Sequence, residues 1–196
     1  VDIVISAGLG PGITDQLTDA LLSAAALVER VPQRSLTRAT PCPGWTVLDV
    51  VNHLAAVTEK FGRFAAGAPG MIRQLPGDLV GTQPARKFRE LAEAAALSWQ
   101  DHPGALTAAC VLPFGSFDGA TAAGISLFDA VVHQWDIAAG AGIDYEMGEE
   151  LAAVALSLAG LLVTDEARLS GHYDAPNLPP AAAPPSVRLL AATGRQ

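Results

Sequence analysis

Apolar residues recur along this chain with the spacing of helix faces. From Thr14 to about Arg30 they fall at Ile13, Leu17, Leu21, Ala24 and Val28, behind Pro11-Gly12 and with Asp15 in the first turn, which predicts a first helix. Prolines on both sides of Cys42 make Thr40-Pro41-Cys42-Pro43-Gly44-Trp45 a stiff turn, and Thr46 with Asp49 resembles a capping box opening a second helix. That helix carries Val47, Val50, Leu54, Val57, Phe61 and Phe64 on one face and is expected to reach about Ala66, where Gly67-Ala68-Pro69-Gly70 breaks it. Residues 67–84 read as a long loop with a short helical turn near Met71, and a loop of that length in a compact domain is often functional.

Phe88, Leu91, Ala95 and Trp99 define a third helix that stops at His102-Pro103-Gly104. Leu106 to Leu112 is expected to be extended, with Pro113-Phe114-Gly115 punctuating a short strand or hairpin. A fourth helix runs from about Ala120 to Ala139 with Ile125, Phe128, Val132 and Trp135 inward, and ends at Gly140-Ala141-Gly142. A fifth, from about Gly148 to Val163, carries Leu151, Val154, Leu158 and Leu161. Beyond it, residues 174–196 form a proline-rich tail, too poor in large apolar groups for a core of its own, in which Ser186 caps a short terminal helix bearing Leu189 and Leu190. The pattern predicts an all-α protein: a four-helix bundle with an extra helix, at most one hairpin, and a tail that packs back. It reads as a single domain over residues 1–196, with the bundle over 13–163.

A chain of 196 residues can bury most of its apolar surface on folding. Half its residues are apolar, yet the longest apolar stretch, near Ala152 to Val163, falls well short of the roughly 20 residues that span a membrane. The start, Val1-Asp2-Ile3-Val4-Ile5, has no basic region before its apolar stretch and an acid at position 2, unlike a secretory signal, so a cytoplasmic protein is expected. A net charge of −8, with scattered Lys and Arg, argues against nucleic acid as a partner. Cys42 and Cys110 form no CxxC pair and read as buried free thiols, although the prolines flanking Cys42 keep a reactive role open.

Candidate chemistry lies on the fourth helix. Asp129 and His133 are four residues apart and project from one face about a turn from each other, close enough to hold one ion; Ser126 and Asp136 extend the same polar line. His53 sits at a comparable edge of the second helix, beside Val50, Leu54 and Val57. If those two helices are neighbours, two imidazoles and a carboxylate converge, a set that catalytic zinc sites use while leaving one position open. The same spacing also suits a plain helix-surface pair, and a lone His beside an apolar stripe is commonly a packed residue. His102 reads as a helix-end residue and His172 as a loop residue, while Asp136 reads as a carboxylate that orients a ligand His.

The segment Thr40-Pro41-Cys42-Pro43-Gly44-Trp45-Thr46-Val47-Leu48-Asp49-Val50-Val51-Asn52-His53-Leu54, with Asp129-Ala130-Val131-Val132-His133-Gln134-Trp135-Asp136-Ile137-Ala138 much later, resembles the actinobacterial branch of the DinB/YfiT-like superfamily. More narrowly it resembles the N-terminal domain of mycothiol-dependent maleylpyruvate isomerase. The resemblance implies a bundle holding a divalent metal, zinc or nickel, through a His on the second helix and a Glu and a His four apart on a later one. These map onto His53, Asp129 and His133, with Asp in place of Glu. It further implies a mycothiol-type, thiol-dependent S-transferase or isomerase acting on a small electrophile, possible as a homodimer, in which loop 67–84 covers the thiol. The isomerase's separate C-terminal domain has no counterpart in this sequence, which sets maleylpyruvate apart from the expected substrates. Two other readings stay open: a metal-dependent hydrolase using the same ligands, and a non-catalytic bundle that binds a small hydrophobic molecule.

Overall fold

The computed structural model describes residues 3–195; Val1, the acid at position 2 and Gln196 lie outside them. Four long helices form the bundle: α1 (Ile13–Glu29), α2 (Val47–Ala65), α3 (Pro84–Asp101) and α4 (Gly119–Ala141). Each of α1 and α2 packs against both α3 and α4, so the first two helices face each other across the bundle and α2 and α4 are neighbours. The apolar stripes read from the sequence form the core, with Leu17, Leu21, Val50, Leu54, Phe61, Phe88 and Trp99 fully buried. Thr46 and Asp49 close the capping box of α2, each side chain meeting the other's backbone N–H.

The fourth helix is not amphipathic. Nineteen of its 23 residues are buried, because α1 and α2 cover one side and α5 (Glu149–Leu162) covers another. Its Ala- and Gly-rich sequence permits this enclosure: a Cβ on Gly140 would lie 2.8 Å from Thr40 Cγ2, 2.9 Å from Val47 Cγ2 and 3.1 Å from the Ala39 carbonyl oxygen. Gly140 thus lets the turn ahead of α2 lie directly on α4.

The expected hairpin forms from β2 (Ala109–Leu112) and β3 (Gly115–Asp118), paired antiparallel. A strand not anticipated, β1 (Val4–Ile5), adds to β3 in parallel and completes a three-stranded sheet in the order β1-β3-β2. No helical turn forms near Met71. Loop 67–83 is irregular and tied down at scattered points, by Ile72 N–H to the Val111 carbonyl at 2.8 Å, Leu79 N–H to Asn52 Oδ1 at 2.8 Å and Arg63 Nη2 to the Arg73 carbonyl at 2.7 Å.

After α5 come α6 (Asp165–Leu169), which the sequence pattern did not reveal, and α7 (Pro185–Ala192). Ser186 is not the cap of α7: Pro184 takes that place with Pro185 in the first turn, and Ser186 gives its backbone N–H and hydroxyl to the Glu149 carboxylate at the start of α5. Leu189 is fully buried, so the tail does pack back, chiefly on α5. No helix of the described chain is long and apolar enough to cross a membrane.

Two glycines within helices test this packing with opposite signs. Gly160, with nothing near its absent Cβ, should gain about 0.5–1 kcal/mol on substitution by Ala. Gly140→Ala should instead lose about 1–3 kcal/mol, because the added methyl meets Thr40 and Val47. Urea unfolding of both variants measures this, and a stabilised Gly140→Ala would mean the turn does not lie on α4 as described.

Candidate metal centre

The turn before α2 is set by its prolines and glycine: Trp45 N–H donates to the Cys42 carbonyl at 3.1 Å, with Pro43 and Gly44 as the central residues. Thr40 N–H and hydroxyl both donate to the Trp45 carbonyl, at 3.0 and 2.9 Å, and Val47 N–H donates to the Arg38 carbonyl. The turn therefore enters α2 in one orientation, with Cys42 and Trp45 against α4.

Opposite it, His53 of α2 meets Asp129 and His133 of α4. His53 Nε2 lies 3.5 Å from Asp129 Oδ2, and His133 Nε2 lies 3.8 Å from Asp129 Oδ1, so the carboxylate divides its two oxygens between the imidazoles. The two imidazoles stand edge to face with centroids 4.9 Å apart, and the Trp45 indole lies 5.0 Å from His53 and 6.3 Å from His133, stacked at 23° on the latter. All three candidate ligands are half-buried, and Trp45 is 38% exposed, so the indole forms the outer wall of the cluster. One ligand atom from each of His53, Asp129 and His133 falls within 4.8 Å of the others. Ligand atoms around a tetrahedral zinc stand roughly 3.3–3.6 Å apart, so the residues present fit a divalent ion with small side-chain movements.

Asp136, one turn further along α4, is fully buried and binds His133 from behind. His133 Nδ1–H donates to Asp136 Oδ2 at 2.8 Å, which fixes the ring with Nε2 toward Asp129. Cys42 Sγ donates to the same oxygen at 3.2 Å. Arg195, from the end of the tail, completes the group with Nη2 on Oδ2 at 2.6 Å and Nε on Oδ1 at 2.8 Å. Cys42, His133 and Asp136 also bring three donor atoms within 4.8 Å. The guanidinium already occupies both oxygens of that carboxylate, so this second trio is a hydrogen-bond network and not a cation site.

The electrostatics agree. Burial would raise the Asp129 carboxyl, but the contact and charge of His53, with the charges of His133 and Lys60, hold it at about 2. Burial of Asp136 is likewise outweighed by His133 and Arg195, leaving it at about 2. Burial and the Asp136 charge push the Cys42 thiol up to about 12, so Cys42 is a hydrogen-bond donor here and not a reactive thiolate. Burial pushes Cys110 up to about 11, matching its reading as an inert core thiol.

Of the weaker candidates, His102 bonds the Ser98 carbonyl through Nδ1 at the end of α3, His172 is exposed, and Ser126 is buried; none joins a cluster of possible ligands among the described residues. Four groups escaped the sequence reading: Trp45, Lys60, Tyr173 and Arg195. Lys60 lies seven residues after His53, two turns along the same face of α2; burial lowers its pKa and the Asp129 charge opposes that. Its spacing from His53 was the available signal. Tyr173 packs edge-on against Phe128, and burial together with the Asp129 charge raises its hydroxyl.

The sequence model of the family described as mycothiol maleylpyruvate isomerase N-terminal domain matches residues 17–138, a span that contains Cys42, Trp45, His53, Asp129, His133 and Asp136. The chain belongs to this family. Two uncharacterized proteins of Mycobacterium tuberculosis, from strains CDC 1551 / Oshkosh and ATCC 25618 / H37Rv, are each 34% identical to it over 172 residues, covering 87% of this chain and 91% of theirs. No solved structure matches it. The family match stops short of Tyr173 and Arg195, whereas the mycobacterial relatives align over most of the chain.

Asp136 also makes a pH prediction. An unfolded Asp takes up its proton near pH 3.9, whereas the folded group holds its charge to about 2, so its contribution is complete above about pH 5 and is lost as pH falls toward 2. The gap in unfolding free energy between the parent and Asp136→Asn should therefore shrink by about 2 kcal/mol between pH 5 and pH 2. A gap that stays constant across that range would show that Asp136 is not ionised in the folded chain.

Proposed function

We propose that this protein is a divalent-metal-dependent enzyme that uses a low-molecular-weight thiol, an S-transferase or isomerase acting on a small electrophile, with His53, Asp129 and His133 as the metal ligands. One observation carries the reading: two imidazole nitrogens and a carboxylate converge within 4.8 Å, and the other nitrogen of one imidazole is already committed to a buried carboxylate. Two imidazoles and one carboxylate favour zinc, with nickel next. A divalent ion there would supply a Lewis acid that lowers the pKa of a thiol sulfur at its open position.

The chain's own residues do the rest. Asp136 holds His133 in the tautomer whose Nε2 is free to ligate, and Trp45 walls the imidazoles from bulk water. Lys60, which has no ion-pair partner among the described residues, places a positive charge on the face of α2 that carries His53. Loop 67–83 is anchored at Asn52, the residue before His53, and is the segment proposed to cover the body of the thiol. The family's description points to mycothiol as that thiol, and the cytoplasm is where such a reduced thiol is available.

Protein purified without chelator or affinity metal should carry about one equivalent of zinc or nickel by elemental analysis, and His53→Ala and His133→Ala should each lose it. Metal at 100 times its dissociation constant should raise the unfolding free energy of the parent by about 2.7 kcal/mol and leave both variants unmoved. A metal-free parent that resists reconstitution would favour a small-molecule-binding bundle. Metal with hydrolysis but no thiol transfer would favour the hydrolase.

A further inference from the structure

Arg195 lies outside the span of the family match and 59 residues from its partner Asp136, yet it is built into position. The last turn of α7 ends in a Schellman arrangement: Gly194 N–H donates to the Ala191 carbonyl at 3.2 Å and Arg195 N–H to the Leu190 carbonyl at 2.8 Å. Gly194 has φ of 78°, and a Cβ there would stand 2.6 Å from Asp174 Cβ, so only glycine fits. Asn177 donates from its backbone to the Ala191 carbonyl at 3.0 Å and from Nδ2 to the Arg195 carbonyl at 3.1 Å, and Arg168 Nη2 donates to the Ala192 carbonyl at 2.6 Å. The guanidinium emerging from this turn is nine-tenths buried, and its Nη1 donates back to the Thr193 carbonyl at 3.2 Å. From there it meets both oxygens of Asp136 and lies 3.7 Å from Cys42 Sγ.

We infer that Arg195 is a positioning residue for the metal ligand His133, acting through Asp136, and that docking of the C-terminal tail and metal binding are therefore one coupled equilibrium. This rests on the assignment of His53, Asp129 and His133 as ligands. To bind an ion through Nε2, His133 must be neutral with its one proton on Nδ1, directed at Asp136. A neutral imidazole supplies no charge to the buried carboxylate behind it. Arg195 is the remaining cation in contact with that carboxylate among the described residues, so it supplies the charge that lets Asp136 remain buried while His133 is neutral. Its fork also gives one hydrogen bond to each oxygen, which prevents the carboxylate from rotating away from the imidazole.

The test uses the full chain as the parent, Arg195→Lys and Arg195→Met, with zinc affinity measured by competition against a chromophoric chelator. In parallel, nitrogen-15 histidine spectra of the metal-free proteins at alkaline pH, where an imidazole is neutral, report the His133 tautomer, assigned by its loss in His133→Gln. In the parent, His133 should be the Nδ1–H tautomer; in Arg195→Met it should become a tautomer mixture, and zinc affinity should fall about 10- to 100-fold. Arg195→Lys keeps a charge without the fork and should fall between parent and Met; it decides the matter alone if Arg195→Met does not fold. Folded variants with the parent's tautomer and the parent's zinc affinity would overturn the inference. If no form binds zinc but the tautomer still follows Arg195, the positioning role stands and the metal assignment fails. If zinc binds equally in all forms, the reverse holds.

Discussion

The buried charge of Asp136 is the constraint around which the structure is organised. A carboxylate with no solvent exposure costs several kcal/mol unless it is paired and its oxygens are occupied. Here one partner is local, His133 from the preceding turn of α4, and two come from distant parts of the chain: Cys42 from the turn before α2 and Arg195 from the terminal turn after α7. The Cys42 and Arg195 contacts cannot form until the bundle, the turn and the tail are all in place. The polar group thus specifies how three otherwise separate pieces meet, which apolar packing alone does loosely.

The apolar packing in turn decides where that group lies. Because α4 is enclosed by α1, α2 and α5, its polar residues have few places to go. Asp129 and His133 emerge where α4 meets α2 and find His53 there, while Asp136 falls behind them where the turn and the tail cross the helix. Gly140 is part of the same arrangement. Its missing side chain brings the turn close enough for Cys42 to reach Asp136 and for Trp45 to stack on His133.

Much of this was legible in the sequence, for a physical reason: helical periodicity is local. The stripes along α1, α2 and α3, the capping box of Thr46 and Asp49, and the shared face of Asp129 and His133 all depend on residues within a few turns of one another. That His53 joins them required α2 and α4 to be adjacent, which periodicity leaves open and the bundle's packing decides. What could not be read depended on contacts at long separation. No local pattern could pair Arg195 with Asp136, 59 residues away, and the two residues of β1 were too short to show a period. Ser186 satisfied a local rule for a helix cap but bonds Glu149 instead, because Pro184 and Pro185 already provide the first turn of α7.

The charges also bear on why a single carboxylate stands among the proposed ligands. Asp136 and Arg195 cancel as a pair, so the one carboxylate that the cluster of His53, Asp129 and His133 can offer is that of Asp129. On the proposed reading, a divalent ion leaves this cluster with a net positive charge, and Lys60 on the same face of α2 adds to it. Such a centre favours an anionic sulfur over a neutral one, since the anion then completes the charge balance in a partly dry site. A second carboxylate ligand would remove that preference. Replacing the longer Glu by Asp does not alter the count, and its two oxygens still reach both imidazoles because α2 and α4 pack closely at this level.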